Sequence, residues 1–281
     1  MEEIKMLDYK KMSTDEVQRI AKQGDKDALY ELAWRVDLLP PEHRDDPVES
    51  AAMQDYWLEK AADAGHIEAK GTYAYSLINR IMNAEDRQKA MKYFQSLVED
   101  FDAGRLSADQ REEGAYAQLW LGVMLCQGYH TRRDAVKGVE LIKAAETFFN
   151  GFEGFGYRPM KILGDLYWSG LAQPGEEASV ADLEKATVYL ETAIKRFKPE
   201  RDDPNNRGFL QRTKDLLELT KKRTEAKKGL RDFVGEETTN FSGADERRRE
   251  DMKISDAARQ RVEADKAAFA RLKERFAREG W

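Results

Sequence analysis

The stretch LGVMLCQGYHTRRDAVKG, residues 121–138, and the stretch YAYSLINRIMNAEDRQKA, residues 73–90, decide how the chain is read. They have the same length. Each opens on a large apolar residue followed by a small one, Leu121-Gly122 and Tyr73-Ala74. Each then places an Asp and a Lys-small pair at the same offsets, Asp134 with Lys137-Gly138 and Asp86 with Lys89-Ala90. Working outward, Leu163-Gly164 leads to Asp182 and Lys185-Ala186 through a longer loop that contains Gln173-Pro174-Gly175. Leu32-Ala33 begins a further copy, which has the enlarged loop PPEHRDDP at 40–47 and lacks the Asp-x-x-Lys-Ala signature.

Every copy is followed by two adjacent bulky residues: Trp57-Leu58, Tyr93-Phe94, Leu141-Ile142 and Tyr189-Leu190. Two antiparallel helices approach closely only where one of them presents a small residue. Ala33, Ala74, Gly122 and Gly164 are therefore the predicted holes, and the bulky pairs the predicted knobs. One helix hairpin cannot bury its apolar face alone, so about four of them are expected to stack into an α-solenoid.

The remaining sequence agrees with an all-α chain. Residues 48–158 and 205–281 contain no proline, and good helix formers dominate throughout. No stretch shows period-2 alternation of β-branched residues, so no sheet is expected. Ser13-Thr14-Asp15-Glu16 is a capping box, followed by Val17, Ile20 and Ala21 at helical spacing, and Gly24-Asp25 reads as a turn. Charged residues make up 36% of the 281, above the usual ~25%, as expected for extensive helical surface. The balance of 47 Lys+Arg against 53 Asp+Glu disfavours a general nucleic-acid binder, which needs a basic excess. A single Cys excludes an intrachain disulfide, and with three His it excludes a Cys/His zinc module. The N-terminus lacks the apolar core of a signal peptide, and no run of about 18 apolar residues is present. The expected location is the cytoplasm.

The repeat resembles the Sel-one-like repeat, a longer relative of the tetratricopeptide repeat. The third copy carries the resemblance at Ala117, Leu121, Gly122, Gly128, Asp134, Lys137 and Ala144-Ala145. The fourth carries it at Leu163-Gly164, Tyr167, Gly170, Asp182, Lys185-Ala186 and Tyr189, and the junction of the first two at Trp57, Lys60-Ala61-Ala62, Gly65 and Ala69. Departures include His130-Thr131 where the family has Gly-Val, and Pro159 at an Ala position. The resemblance covers about residues 17–198. It implies a right-handed solenoid that binds other proteins and is not itself an enzyme. Bacterial relatives of that family include regulators, host-interaction factors and immunity proteins that block secreted toxins.

The expected organisation is an N-terminal segment at 1–16, the repeat solenoid at 17–198, a capping helix at 199–234, and a linker with a C-terminal helix at 235–281. The capping helix has Phe209, Leu210, Leu216, Leu217 and Leu219 as its apolar residues. The last helix opens at Ser255-Asp256 and carries a stripe of Ala257, Ala258, Val262, Ala268, Phe269, Leu272 and Phe276. Three readings of it stand: it docks back on the repeats, it extends to a partner or another protomer, or it is disordered.

No Walker, HExxH, GxSxG or calcium-loop motif is present. Gly151, Gly154 and Gly156 follow no strand and read as an inter-repeat loop rather than a phosphate cradle. His43, His66 and His130 are assigned surface or capping roles, and Cys126 a buried structural one. Lys221-Lys222-Arg223 and Arg247-Arg248-Arg249 have acidic neighbours and read as solvated faces. No catalytic residue, metal or cofactor is expected.

In tetratricopeptide-like arrays the first helix of each hairpin lines a concave groove. By register, the resemblance makes Asp27, Tyr30, Trp34 and Asp37 groove residues of the first copy. It adds Glu68, Tyr75 and Asn79 in the second, Tyr116 and Gln127 in the third, and Arg158, Lys161, Asp165 and Trp168 in the fourth. Aromatic and Arg residues are typical interface anchors, although Trp34, Tyr75 and Trp168 fit an inter-repeat core equally well. The favoured function is a non-enzymatic adaptor for a protein partner. The alternatives are a homo-oligomeric structural protein joined through the C-terminal helix, and a small-ligand-binding repeat protein.

Overall fold

The structure is a computed structural model and describes residues 8–79, 84–128, 132–150, 152, 155–175, 177–198, 207–233 and 256–280. The 235–251 part of the expected linker, Gly151, Gly154, His130 and the Arg247-Arg248-Arg249 cluster lie outside them. Among the described residues there are α-helices and short 3-10 turns and no strand. The helices are α1 (Thr14–Ala21), α2 (Lys26–Leu32), α3 (Pro47–Asp63), α4 (Ile67–Asn79), α5 (Ala84–Asp102), α6 (Arg111–Gln127), α7 (Ala135–Phe149), α8 (Tyr157–Trp168), α9 (Val180–Arg196), α10 (Arg207–Phe233) and α11 (Asp256–Arg278). No helix of the described residues is long and apolar enough to cross a membrane.

The chain divides into two compact units. One comprises residues 1–97 and 243–281, the other residues 98–242, so the division falls within α5.

In the first unit, α1 starts as expected. The Ser13 hydroxyl accepts from the Glu16 amide, and the Glu16 carboxylate accepts from the Ser13 amide at 2.9 Å. Val17 and Ala21 are buried. α2, α3 and α4 pack in sequence order, each against the next. Trp57, Leu58, Ala61 and Ala62 of α3 and Ala69, Tyr73 and Ala74 of α4 are all buried. Lys89 of α5 pairs with Glu59, and the Tyr93 hydroxyl donates to Asp63 at 2.7 Å, fixing α5 on α3.

α11 belongs to this unit and docks on α3. Phe276 is fully buried, stacked on Tyr56 at 4.7 Å and edge-on to Trp57 at 4.9 Å. Ala268 and Leu272 are buried beside it. Polar contacts set the register: Arg271 pairs with the buried Glu49, and Arg275 donates to the Leu38 carbonyl at 2.8 Å. Ala268, Leu272 and Phe276 of the apolar stripe read from the sequence thus find their cover within their own unit.

In the second unit, α6–α7 and α8–α9 are antiparallel hairpins whose holes lie where expected. A Cβ on Gly122 would lie 2.6 Å from the Gly138 carbonyl oxygen and 2.7 Å from Ile142. One on Gly164 would lie 2.7 Å from Leu190. The knob and its hole therefore meet in both hairpins. Gly128 and Gly170, which carry the repeat resemblance, occur where their helices end, with φ of 67° and 76°. That left-handed conformation favours glycine. Leu119, Ile142, Phe149, Leu163 and Ala186 form the centre of the core.

α10 packs on α9, with Phe209, Leu210, Leu216 and Leu217 of the expected apolar face partly buried and Phe209 edge-on to Tyr157 at 4.9 Å. Leu219 is 48% exposed, while Thr213, Thr220 and Thr224 are buried. Each of the three hydroxyls donates to the carbonyl four residues earlier, at 2.7 to 2.8 Å. Satisfying the hydroxyl on its own helix removes the desolvation penalty and leaves a small side chain at the interface.

Candidate functional site

Of the thirteen residues expected to line a groove, seven lie in the first unit and six in the second, and each set is considered by itself.

In the first unit the site is built on two helix starts. Asp25 caps α2, its carboxylate accepting from the Asp27 and Ala28 amides at 3.0 and 2.9 Å. His66 caps α4, its Nδ1 accepting from the Ala69 amide at 3.1 Å. That bond places the proton of the neutral ring on Nε2. The buried imidazole stacks on Tyr30 with ring centroids 4.2 Å apart and planes 19° apart. Asp27 Oδ1 lies 3.6 Å from Nε2, and Glu68 Oε2 lies 3.4 Å from Nδ1. Both carboxylates belong to first helical turns, where negative charge is favourable.

Burial lowers the His66 pKa, assisted by Lys26, while Glu68, Asp27 and Asp25 oppose it. Burial is the largest of these influences, so the neutral ring is favoured in the fold. The Tyr9 phenol is pushed up to about 12, first by burial and then by its hydrogen bond to Asp25 and the charges of Asp25 and Asp27.

Trp34 stands edge-on to Tyr30 at 5.9 Å and is 48% exposed. It does not stand on α2, however. The helix stops at Leu32, and a 3-10 turn at Val36–Leu38 follows. Leu38 and Leu39 turn inward ahead of Pro40-Pro41, which prevents helix continuation. Arg35 holds this bend by donating to the carbonyls of Tyr9 and Met12, at 2.6 and 3.1 Å, and by pairing with Glu31. Asp37 accepts from the Thr14 hydroxyl. On α4, Tyr75 is 43% exposed, and Asn79 donates to its carbonyl at 2.9 Å.

In the second unit several expected groove residues serve the core. Tyr116 packs on Phe149 and Phe155 at 5.2 and 4.6 Å. Trp168 lies against the same core, its ring 5.4 Å from the Arg223 guanidinium, which also donates to the Trp168 carbonyl at 2.8 Å. Arg158 lies over Phe155 at 4.9 Å, and Lys161 is ion-paired with Asp165. Burial raises the Asp165 pKa against the pull of Lys161. Gln127 is half-buried near the end of α6. Lys161 is therefore neutralised within its own unit.

Two features escaped the sequence reading. His66 was assigned a cap or surface role, and its cap is real, but its place among Tyr30, Asp27 and Glu68 depends on α2 and α4 lying side by side. Arg133 donates to four carbonyls: Cys126 at 3.0 Å, Gly170 at 2.9 Å, Gln173 at 2.6 Å and Gly175 at 3.2 Å. It thereby joins the ends of two hairpins, and nothing in its local sequence marks it. Cys126 is buried, its thiol pushed up to about 12 by burial. Among the described residues no group of three His, Cys, Asp or Glu side chains is placed to hold a metal ion. A scan against family models matches no family, and a search of curated proteins finds no match.

Proposed function

We propose that the chain is a divergent Sel-one-like repeat protein, a right-handed α-solenoid that serves as a non-enzymatic adaptor for a protein partner. In this reading the partner lies along the first helices of the hairpins. The knob-and-hole contacts of Gly122 with Ile142 and Gly164 with Leu190 support the repeat. The observation that carries the function is the exposure of Trp34 and Tyr75. In the alignment of Leu32-Ala33 with Tyr73-Ala74 they occupy the same position, one residue after the small one. Large aromatic residues left half-exposed at a repeating position favour an interface, because they bury much area at low entropic cost.

The test is affinity capture from a lysate of the native source, read by mass spectrometry. The wild type is run beside a Trp34→Ala, Tyr75→Ala variant of unchanged circular dichroism. A partner held by the wild type and lost by the variant is expected. A partner retained equally by both would remove this face from the function.

A further inference from the structure

We infer that the exposed aromatic surface beside α2 and the start of α4 docks an arginine-bearing segment of a protein partner, with Asp27 and Glu68 receiving the guanidinium and Trp34 and Val36 the apolar flank. The inference rests on the adaptor reading and adds the chemistry of the partner.

The apolar part is Trp34, with Val36 exposed two residues further along the chain. Tyr30 extends it inward to the His66 ring. The carboxylates around that ring decide the sign of the occupant. Asp27 and Glu68 lie within 3.6 and 3.4 Å of opposite nitrogens of one imidazole. Neither carboxylate has a full cation in that contact, since the fold favours the neutral ring. The charged groups that face the imidazole are Asp25, Lys26 and Asp27 from α2 and Glu68 from α4. Three negative charges thus stand against Lys26. Asp25 is engaged by two amides and by Tyr9, which leaves Asp27 and Glu68 for an incoming cation.

Carboxylates beside aromatic rings suit a guanidinium better than an ammonium. Its planar fork pairs with carboxylate oxygens while its face stacks on a ring. The fold itself pairs guanidinium with aromatic rings at Arg111 over Phe101, Arg158 over Phe155 and Arg223 over Trp168, at 5.4, 4.9 and 5.4 Å. Protonation of His66 would insert a competing cation between Asp27 and Glu68, so docking weakens as pH falls.

The experiment uses the full chain labelled with 5-fluorotryptophan, with the Trp34 signal assigned through Trp34→Phe. The probe is a capped hexapeptide, Gly-Leu-Arg-Leu-Arg-Gly, titrated beside its counterpart with Glu for both Arg. The arginine peptide is expected to shift the Trp34 fluorine signal saturably and the glutamate peptide to leave it in place. An Asp27→Asn, Glu68→Gln variant of unchanged circular dichroism should bind the arginine peptide about five- to ten-fold more weakly, the scale expected for losing two exposed ion pairs. Lowering the pH far enough below 6.5 to protonate His66 should also weaken it. No saturable shift, an equal response to both peptides, or an unaffected double variant would overturn the inference. Lysate capture with the same double variant separates the two proposals. A partner lost with Trp34→Ala, Tyr75→Ala but retained by the charge variant would sink the arginine chemistry and leave the adaptor reading standing. A peptide response without any captured partner would do the reverse.

Discussion

Replacing Gly122 by Ala opposes two effects of known sign. In a helix interior Ala is favoured over Gly by about 1 kcal/mol. At Gly122, however, the added methyl would lie 2.6 Å from the Gly138 carbonyl oxygen, 2.7 Å from Ile142 Cγ1 and 3.2 Å from the Ile142 amide nitrogen. Non-bonded carbons prefer about 3.5 to 4.0 Å. Two of these neighbours are backbone, so α6 and α7 must move apart. Overpacking of this kind costs about 1 to 3 kcal/mol, and a backbone obstruction belongs at the upper end, leaving a net loss of about 2 kcal/mol. At Gly164 the methyl meets the Leu190 side chain at 2.7 Å, which can turn aside, so the loss should be smaller. At Gly229, within α10, nothing lies within 4 Å, and Ala should stabilise by about 0.5 to 1 kcal/mol. Urea unfolding followed by circular dichroism gives the ranking directly: Gly229→Ala above wild type, Gly164→Ala below it, Gly122→Ala lowest. A Gly122→Ala protein as stable as wild type would refute the close approach of these two helices.

Three further outcomes follow from the same contacts. Phe276→Ala removes a buried ring stacked on Tyr56 and edge-on to Trp57, a loss of about 3 to 5 kcal/mol. It should make α11 the first segment cut in limited proteolysis, and an unchanged cleavage pattern would contradict the docking. His66 has a folded-state pKa below its unfolded one, so the native protein binds fewer protons through that window. The stability this contributes is present above the unfolded value of about 6.5 and is lost as pH falls through the lowered folded value. His66→Asn, which keeps a capping acceptor, should flatten that slope in urea midpoints measured from pH 7.5 to 5. The Cys126 thiol should resist a thiol reagent at pH 8 in the folded protein and react fully in urea, and rapid reaction in the native state would contradict its burial.

Local signals were the most readable part of the chain. The Ser13 capping box, the holes at Gly122 and Gly164, and the helix-ending Gly128 and Gly170 depend on near neighbours or on a repeated spacing. The errors arise where distant partners override local pattern. α2 stops at Leu32 because Leu38 and Leu39 turn inward and Arg35 is held by the Tyr9 and Met12 carbonyls. On α10 most of the expected apolar residues are partly buried, but Leu219 is exposed and Thr213, Thr220 and Thr224 are buried, each hydroxyl satisfied on its own helix. The sequence placed Asp27, Tyr30 and Glu68 on one candidate surface, but it could not show His66 at their centre. That grouping depends on residues about 40 apart in the chain being brought together by helix packing.

Amide hydrogen exchange of the full chain, with and without a captured partner, is the most direct test of the proposed recognition face. Slowed exchange over residues 25–37 and 66–79, with little change in α11, is predicted. Protection confined to α10 or α11 would contradict it.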